Sequence, residues 1–179
     1  RKLQHDGGRP GGRVVATVMS NFGLEQALFN DGMGIIRCSV GDREVLMTMK
    51  EQGATLGGEQ SGHIICSHYG VSGDGLLTGT HLLAIAADRG IPISDLSDIV
   101  RLPQILINVP VSQKLPFEEV PQVSSELAEA NRLLEKRGRV LLRYSGTERL
   151  ARVMVEGEDG DEIQTLADRI AEAIRSELG

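Results

Sequence analysis

The run Val14-Val-Ala-Thr-Val-Met19 is apolar or β-branched throughout, with no polar alternation. A strand that alternates needs one covered face, whereas a strand of this kind needs two. It therefore requires helices above and below, and the next segments supply them. Ser20-Asn21 offers cap-forming side chains. Leu24, Ala27 and Leu28 then give one helix an apolar face, and Asn30-Asp-Gly32 ends it. Ile35-Ile-Arg-Cys-Ser-Val40 reads as a second strand. Gly41-Asp42 opens a second helix with Val45, Leu46 and Met49 inside and Gly53 as its stop. Thr55-Leu-Gly-Gly58 and His63-Ile-Ile-Cys66 are short strand pieces around the turn Glu59-Gln-Ser-Gly62. Asp74 caps a long helix from Gly75 to Arg89, closed by Gly90. Strands alternating with helices predict a layered α/β domain.

The style of the chain then changes. Pro103, Pro110, Pro116 and Pro121 are four of its six prolines. This places a domain boundary after residue 101, dividing the chain into 1–101 and 102–179. Residues 1–13, with Gly7, Gly8, Pro10, Gly11 and Gly12, read as a flexible tail. In the second domain Leu106-Ile-Asn-Val-Pro-Val111 reads as an edge strand, because Pro110 has no N–H for a central ladder. Ser124 or Ser125 is expected to cap a helix reaching about Arg137. Arg139-Val-Leu-Leu142 and Leu150-Ala-Arg-Val-Met-Val155 read as strands. A last helix is expected with Asp161 as cap, Gln164 in capping-box position and the stripe Ile163, Leu166, Ala167, Ile170 and Ile174. The expected second domain is a small α+β unit, a four-stranded sheet with two helices.

Composition excludes several classes. The net charge of the 179 residues is −6, the opposite of a nucleic-acid footprint. No apolar run approaches the ~20 residues that span a membrane. Neither nucleic acid nor membrane is thus an expected partner. Cys38 and Cys66 are too few and too far apart for a disulfide framework or metal knuckle, and both read as buried thiols in a reducing cytoplasm. Aromatic residues make up 3%, with no Trp, so stacking platforms are scarce. The sequence does not begin with Met, and we expect it to be a piece of something longer.

Two polar loops carry chemistry. Arg143-Tyr-Ser-Gly-Thr-Glu148 joins the last two strands, and Arg152 follows. Arginine presents a planar fork of donors to phosphate oxygens. Ser145 and Thr147 add hydroxyls, and Gly146 lets backbone N–H groups approach an anion. The alternative is a polar hairpin with solvated arginines. Gly57-Gly-Glu-Gln-Ser-Gly-His63 presents Glu59 and Ser61 on a glycine-flanked turn. A carboxylate there is a good acceptor for vicinal sugar hydroxyls, and the alternative is an ordinary surface turn. His5, His68 and His81 share no ligand spacing with any Cys or acidic cluster, so no metal site is expected.

Val140-Leu-Leu-Arg-Tyr-Ser-Gly-Thr-Glu148, followed by Ala151-Arg-Val-Met-Val-Glu156, resembles the C-terminal phosphate-binding loop of the α-D-phosphohexomutase family. It is most similar to the bacterial phosphoglucosamine mutases within it. Arg149 stands where family members usually have proline, which leaves the ligand positions intact. Gly58-Glu-Gln-Ser-Gly-His63 is similar to the family's sugar-recognition loop, and Thr17-Val-Met-Ser-Asn21 resembles the strand end that opens its third domain. Val40-Gly-Asp-Arg43 resembles the loop that helps read the substrate, the alternative being that Asp42 caps a helix and Arg43 is solvated. Ser72-Gly-Asp-Gly-Leu-Leu77 resembles a family segment, with Asp74 still read as a helix cap. Gly157-Glu-Asp-Gly-Asp-Glu162 is superficially similar to the family's acidic metal loop but has Gly157 for its first aspartate and Glu162 for its arginine. It reads as a helix-starting turn.

The resemblance covers the third and fourth of four family domains. It implies an intramolecular phosphotransferase that interconverts glucosamine 6-phosphate and glucosamine 1-phosphate through a phosphoserine and a bisphosphorylated sugar. The phosphoserine loop and the magnesium-holding loop belong to the family's first two domains. The chain itself is thus expected to carry no catalytic residue and to bind no metal. By resemblance Arg143, Ser145, Gly146, Thr147 and Arg152 hold the phosphate. Glu59, Ser61, Gly41, Asp42 and Arg43 hold the sugar, with His63 a further candidate. The implied partners are a hexosamine or hexose phosphate and the preceding domains of the same chain. The rival readings are a phosphomannomutase or phosphoglucomutase of the same family, or a non-catalytic sugar-phosphate-binding module.

Overall fold

The computed structural model describes residues 12–97 and 99–179. They fall into two compact units, one ending at Arg101 and the other Leu102–Gly179. Most of the expected flexible tail lies outside the described residues. Its last two residues are ordered: the Gly12 carbonyl accepts a hydrogen bond from the Gly34 amide, and the first strand starts at Arg13.

In the first unit β1 (Arg13–Thr17) is buried on both faces after its first residue. It lies between β2 (Gly34–Cys38) and β3 (Leu56–Gly58), both parallel to it, and β4 (Ile64–Cys66) closes the sheet antiparallel to β3. The order is β2-β1-β3-β4. The two crossover helices cover opposite faces, as the unbroken apolar run demands. Val14 joins Leu28 and Met33, with Leu24 of α1 (Phe22–Asn30) packed against them. Val15 joins Val45 and Met49 of α2 (Asp42–Gln52), together with Ile65. Asn21 caps α1 by accepting from the Gly23 amide. Gly57 has a steric reason to lack a side chain, since a Cβ there would meet Met49 Sδ at 2.6 Å and Val45 Cγ1 at 2.8 Å. Arg37 clamps the β1–α1 turn by donating to the Ser20 carbonyl at 2.9 Å and to Glu25 at 3.0 Å.

Asp74 caps α3 (Gly75–Arg89) through the Leu77 amide, and Gly90 ends it in the left-handed conformation. Little of its apolar surface is covered, although Leu77 is half-buried. Leu76, Leu82 and Leu83 are exposed and Ala86 is the buried residue. Cys38 and Cys66 also differ from expectation, being half-buried rather than buried.

In the second unit β5 (Gln104–Pro110), β6 (Gly138–Tyr144) and β7 (Leu150–Gly157) form an antiparallel sheet in the order β5-β7-β6. The expected four-stranded sheet thus has three strands among the described residues, with the proline-bearing β5 at an edge. The segment after Pro110 joins no ladder. Val111 donates to the Arg149 carbonyl, Ser112 to that of Leu178, and Pro116 turns the chain into a short 3-10 helix, Phe117–Glu119.

Helices α4 (Pro121–Leu133) and α5 (Gly160–Leu178) cover one sheet face. Ile163, Leu166, Ala167, Ile170 and Ile174 of α5 are all buried there against Val109, Ala151, Val153 and Val155. Each buried Ile, Leu or Val there contributes roughly 1.5–3 kcal/mol. Two caps differ from expectation. Helix α4 begins at Pro121, whose fixed φ suits the first helical position, so Ser124 lies inside it. Helix α5 is capped by Asp159, which accepts from the Asp161 and Glu162 amides, leaving Asp161 in the first turn. Gln164 makes no capping box and donates instead to Asp168.

Candidate functional site

The loop Ser145–Arg149 joins β6 to β7, and its arginines are on the strands. Arg143 is the direct cross-strand partner of Arg152, and Asn108 of β5 is the partner of Arg152 on its other side. Ala151 and Val153 point into the helix-covered core, so strand alternation puts Asn108, Arg152 and Arg143 in one row on the opposite face. Like charges directly opposite each other destabilise a sheet, and an anion between them reverses the sign. Arg152 Nε is buried and has no hydrogen-bond partner among the described residues. A buried unmade donor costs about 1–3 kcal/mol, so the fold leaves this guanidinium short of one acceptor.

A carboxylate of the chain already sits beside this row. Glu148 accepts from Arg152 Nη2 at 3.2 Å and from the Ser145 hydroxyl at 3.3 Å. Ser145 is buried at 3% exposure, and its hydroxyl also accepts from the Glu148 amide. The hydroxyl therefore closes the loop locally rather than pointing outward. Gly146 and Thr147 form the exposed tip. A Cβ on Gly146 would meet no atom within 4 Å, so that side of the loop is open. Sequence reasoning missed Asn108, which only strand pairing brings beside Arg152. It also missed Lys114, whose ammonium donates to the Ser145 carbonyl.

The second loop lies in the first unit. The β3–β4 turn is closed by the Gly62 amide donating to the Glu59 carbonyl and the Glu59 amide to that of His63. Strand order 2-1-3 makes the crevice between β1 and β3 a topological switch point, where open α/β sheets take ligands beyond the strands' carboxyl ends. Glu59 stands at that end of β3. With Ser20, Asn21 and Gln60 it borders a cavity of about 340 Å³ that also reaches Leu24 and Leu56. A smaller cavity of about 200 Å³ is lined by Ser61, Gly62, His63, Ile64, Gly73 and Gly75. Ser61 Oγ and His63 Nδ1 are 3.2 Å apart.

The structure brings the Gly41 loop to the Glu59 turn. The Gly41 amide donates to Glu59 Oε1 at 2.9 Å. Gly41 has φ 131°, a backbone that side-chain-bearing residues rarely adopt. Asp42 does not cap α2 as an N-cap: Gly41 holds that position, and Asp42 accepts from the Arg43 amide. Arg43 is exposed. Glu59→Ala is expected to speed hydrogen exchange of the Gly41 amide roughly 10- to 100-fold, the worth of a hydrogen bond to a charged group. An unchanged rate by NMR would remove Glu59 as the clamp on this loop. Burial pushes the nearby Cys38 thiol up, against a Thr48 hydrogen bond and with help from Glu44 and Glu59, so it stays protonated.

Other motifs are accounted for locally. The chain also holds a Ser-His dipeptide, Ser67-His68. The Ser67 hydroxyl donates to the Thr55 carbonyl at 3.3 Å, and the His68 ring meets Tyr69 edge-on at 5.0 Å. The Gly157–Glu162 segment starts α5, with Asp159 spent on two backbone amides. Among the described residues no three His, Cys, Asp or Glu side chains gather to hold a metal ion, so these donors do not fit a magnesium site. No helix of the described residues is long and apolar enough to cross a membrane.

Known proteins match this chain along most of its length. Phosphoglucosamine mutase of Solidesulfovibrio magneticus is 46% identical over 177 residues, covering 98% of this chain and 39% of that protein. The chain thus spans about two fifths of the length of the curated relatives it matches. N-acetylphosphoglucosamine mutase of Aspergillus fumigatus superposes with a TM-score of 0.74 at 21% identity, over 92% of this chain and 38% of that one. The same enzyme in complex with GlcNAc-6P and magnesium gives 0.65 at 20% identity, over 93% and 39%. At such identities the likeness speaks for the fold. The family models for phosphoglucomutase/phosphomannomutase match residues 1–102 as the alpha/beta/alpha domain III and residues 106–173 as the C-terminal domain. The chain belongs to the phosphoglucomutase/phosphomannomutase family.

Proposed function

We propose that this chain supplies the sugar- and phosphate-binding half of a phosphoglucosamine mutase, which interconverts glucosamine 6-phosphate and glucosamine 1-phosphate. The observation that carries the reading is the cross-strand pair Arg143 and Arg152, with Arg152 Nε buried and without a hydrogen-bond partner among the described residues. The curated relatives support the amino-sugar branch. Arg143 and Arg152 grip the phosphate that is not reacting, the Gly146 amide and the Thr147 hydroxyl complete the grip, and Ser145 shapes the loop. Glu59 and Ser61 take sugar hydroxyls, with Gly41, Asp42, Arg43 and His63 around them. Such remote contacts supply binding energy that orients the reacting end of the substrate. The phosphoserine that exchanges phosphate and the magnesium that assists it are assigned to the preceding domains of the longer enzyme, so this chain binds and orients without transferring. Its two free thiols suit a cytoplasmic setting.

The test is an NMR titration of the chain with glucosamine 6-phosphate, mannose 6-phosphate and glucose 6-phosphate. Amides of Ser145–Glu148 and Glu59–His63 are expected to shift, with glucosamine 6-phosphate binding tightest. Equal affinity for all three would favour a phosphomannomutase or phosphoglucomutase. Shifts confined to residues outside both loops would sink the site assignment.

A further inference from the structure

We propose that Lys114 is a positioning residue of the phosphate loop, one that aims the Gly146 amide and adds a third positive charge. The inference rests on the phosphate-site reading above. Its starting point is the segment after β5, which runs against the loop instead of extending the sheet. The Val111 amide donates to the Arg149 carbonyl at 3.0 Å, and Ser112 is tied to the Leu178 carbonyl at the end of α5. Lys114 Nζ then donates to the Ser145 carbonyl at 2.6 Å and lies 5.9 Å from the centre of the Tyr144 ring. The next carbonyl, of Leu115, accepts from the Tyr144 hydroxyl at 2.7 Å. Phe117 stacks on the same ring, centroids 4.2 Å apart and planes 18° from parallel. Burial pushes the Tyr144 phenol up, so it remains the neutral donor this contact needs. The segment therefore grips both flanks of the tip Gly146-Thr147-Glu148.

The consequence follows from peptide geometry. The Ser145 carbonyl and the Gly146 N–H belong to one planar unit, and no peptide bond of the described residues is cis. In a trans unit the two groups point in opposite directions. Lys114 holds the carbonyl on its own side and so turns the Gly146 N–H to the opposite one. The ammonium also polarises that peptide, which strengthens its N–H as a donor. Arg143 and Arg152 then supply the fork, and Lys114 supplies the fixed amide together with a charge that needs no contact with the anion.

The experiment is a titration of the full 179-residue chain with inorganic phosphate, followed by the amide signals of Gly146 and Thr147. Lys114→Met is expected to raise the phosphate dissociation constant about tenfold and to move the Gly146 signal before any phosphate is added. Lys114→Arg, which keeps charge and donor, is expected to bind within about threefold of the wild type. Lys114→Gln keeps a donor without the charge, and is expected to hold the free Gly146 signal near its wild-type position while weakening binding. Amide protection along α5 reports that each variant is folded. Binding that depends on Arg143 but is unaffected by Lys114→Met overturns this inference alone. Binding weakened by Lys114→Met with an unmoved Gly146 signal overturns the positioning role. A wild-type chain that does not respond to phosphate overturns the site reading and this inference with it.

Discussion

Arg152→Ala, and separately Arg143→Ala, will weaken glucosamine 6-phosphate binding roughly 10- to 100-fold each, the worth of a charged hydrogen bond. Arg152→Ala will not lower the stability of the second unit. Arg143 and Arg152 face each other directly across β6 and β7, and removing one relieves a like-charge contact. Arg152→Ala also deletes a buried donor that has no partner among the described residues. Binding and stability thus move in different directions, which a purely structural arginine would not produce. Arg152→Lys will not restore affinity, because a point charge does not reproduce the planar fork. Glu148→Gln is the complementary variant. Its carboxylate occupies Arg152 Nη2 and the Ser145 hydroxyl, so removing the charge is expected to tighten phosphate binding about two- to fivefold. Calorimetric titration measures all four, and urea unfolding supplies the stability arm. If Arg152→Ala unfolds more easily and binds as before, the arginine row is structural.

Glu156→Ala will destabilise the second unit by about 3–5 kcal/mol, the effect of removing one partner of a buried pair. Glu156 is 0% exposed in the central strand β7, and Arg139 lies directly opposite on β6 with Nε donating to its carboxylate. The Arg139 side chain, only 15% exposed, loses that carboxylate in the alanine variant. The double variant Arg139→Met/Glu156→Leu is expected to recover most of the loss, since apolar residues of similar volume often replace such a pair at little cost. Urea unfolding followed by circular dichroism compares the three proteins. A single variant within 1 kcal/mol of the wild type, by the same measure, would mean that the pair is hydrated in solution.

The contrast between these two arginine-bearing rows marks where sequence reasoning stops. Arg139-Val-Leu-Leu-Arg143 displays both arginines alike, two turns of alternation apart on the same face. Register alone puts Glu156 opposite one and Arg152 opposite the other, making the first half of an ion pair and the second half of a like-charge row. In the same way Ser145 reads as an outward hydroxyl, yet the loop folds it inward onto Glu148. Lys114 and Asn108 carry no local signal, because each reaches the site only through pairing or packing across many residues.

What the sequence by itself determined are features that one segment can specify. The unbroken run Val14–Met19 demanded two covered faces, and Val14 and Val15 indeed pack on opposite helices. The stripe Ile163, Leu166, Ala167, Ile170 and Ile174 needed only its own helical period to declare a buried face. Asn21 and Asp74 needed only the next turn of backbone to act as caps. Tertiary structure alone decided the three-stranded sheet, the tie between Gly41 and Glu59 and the company each arginine keeps. Those depend on which distant groups meet, and a charge or hydroxyl takes its role from its partner, whereas an apolar period takes its role from water.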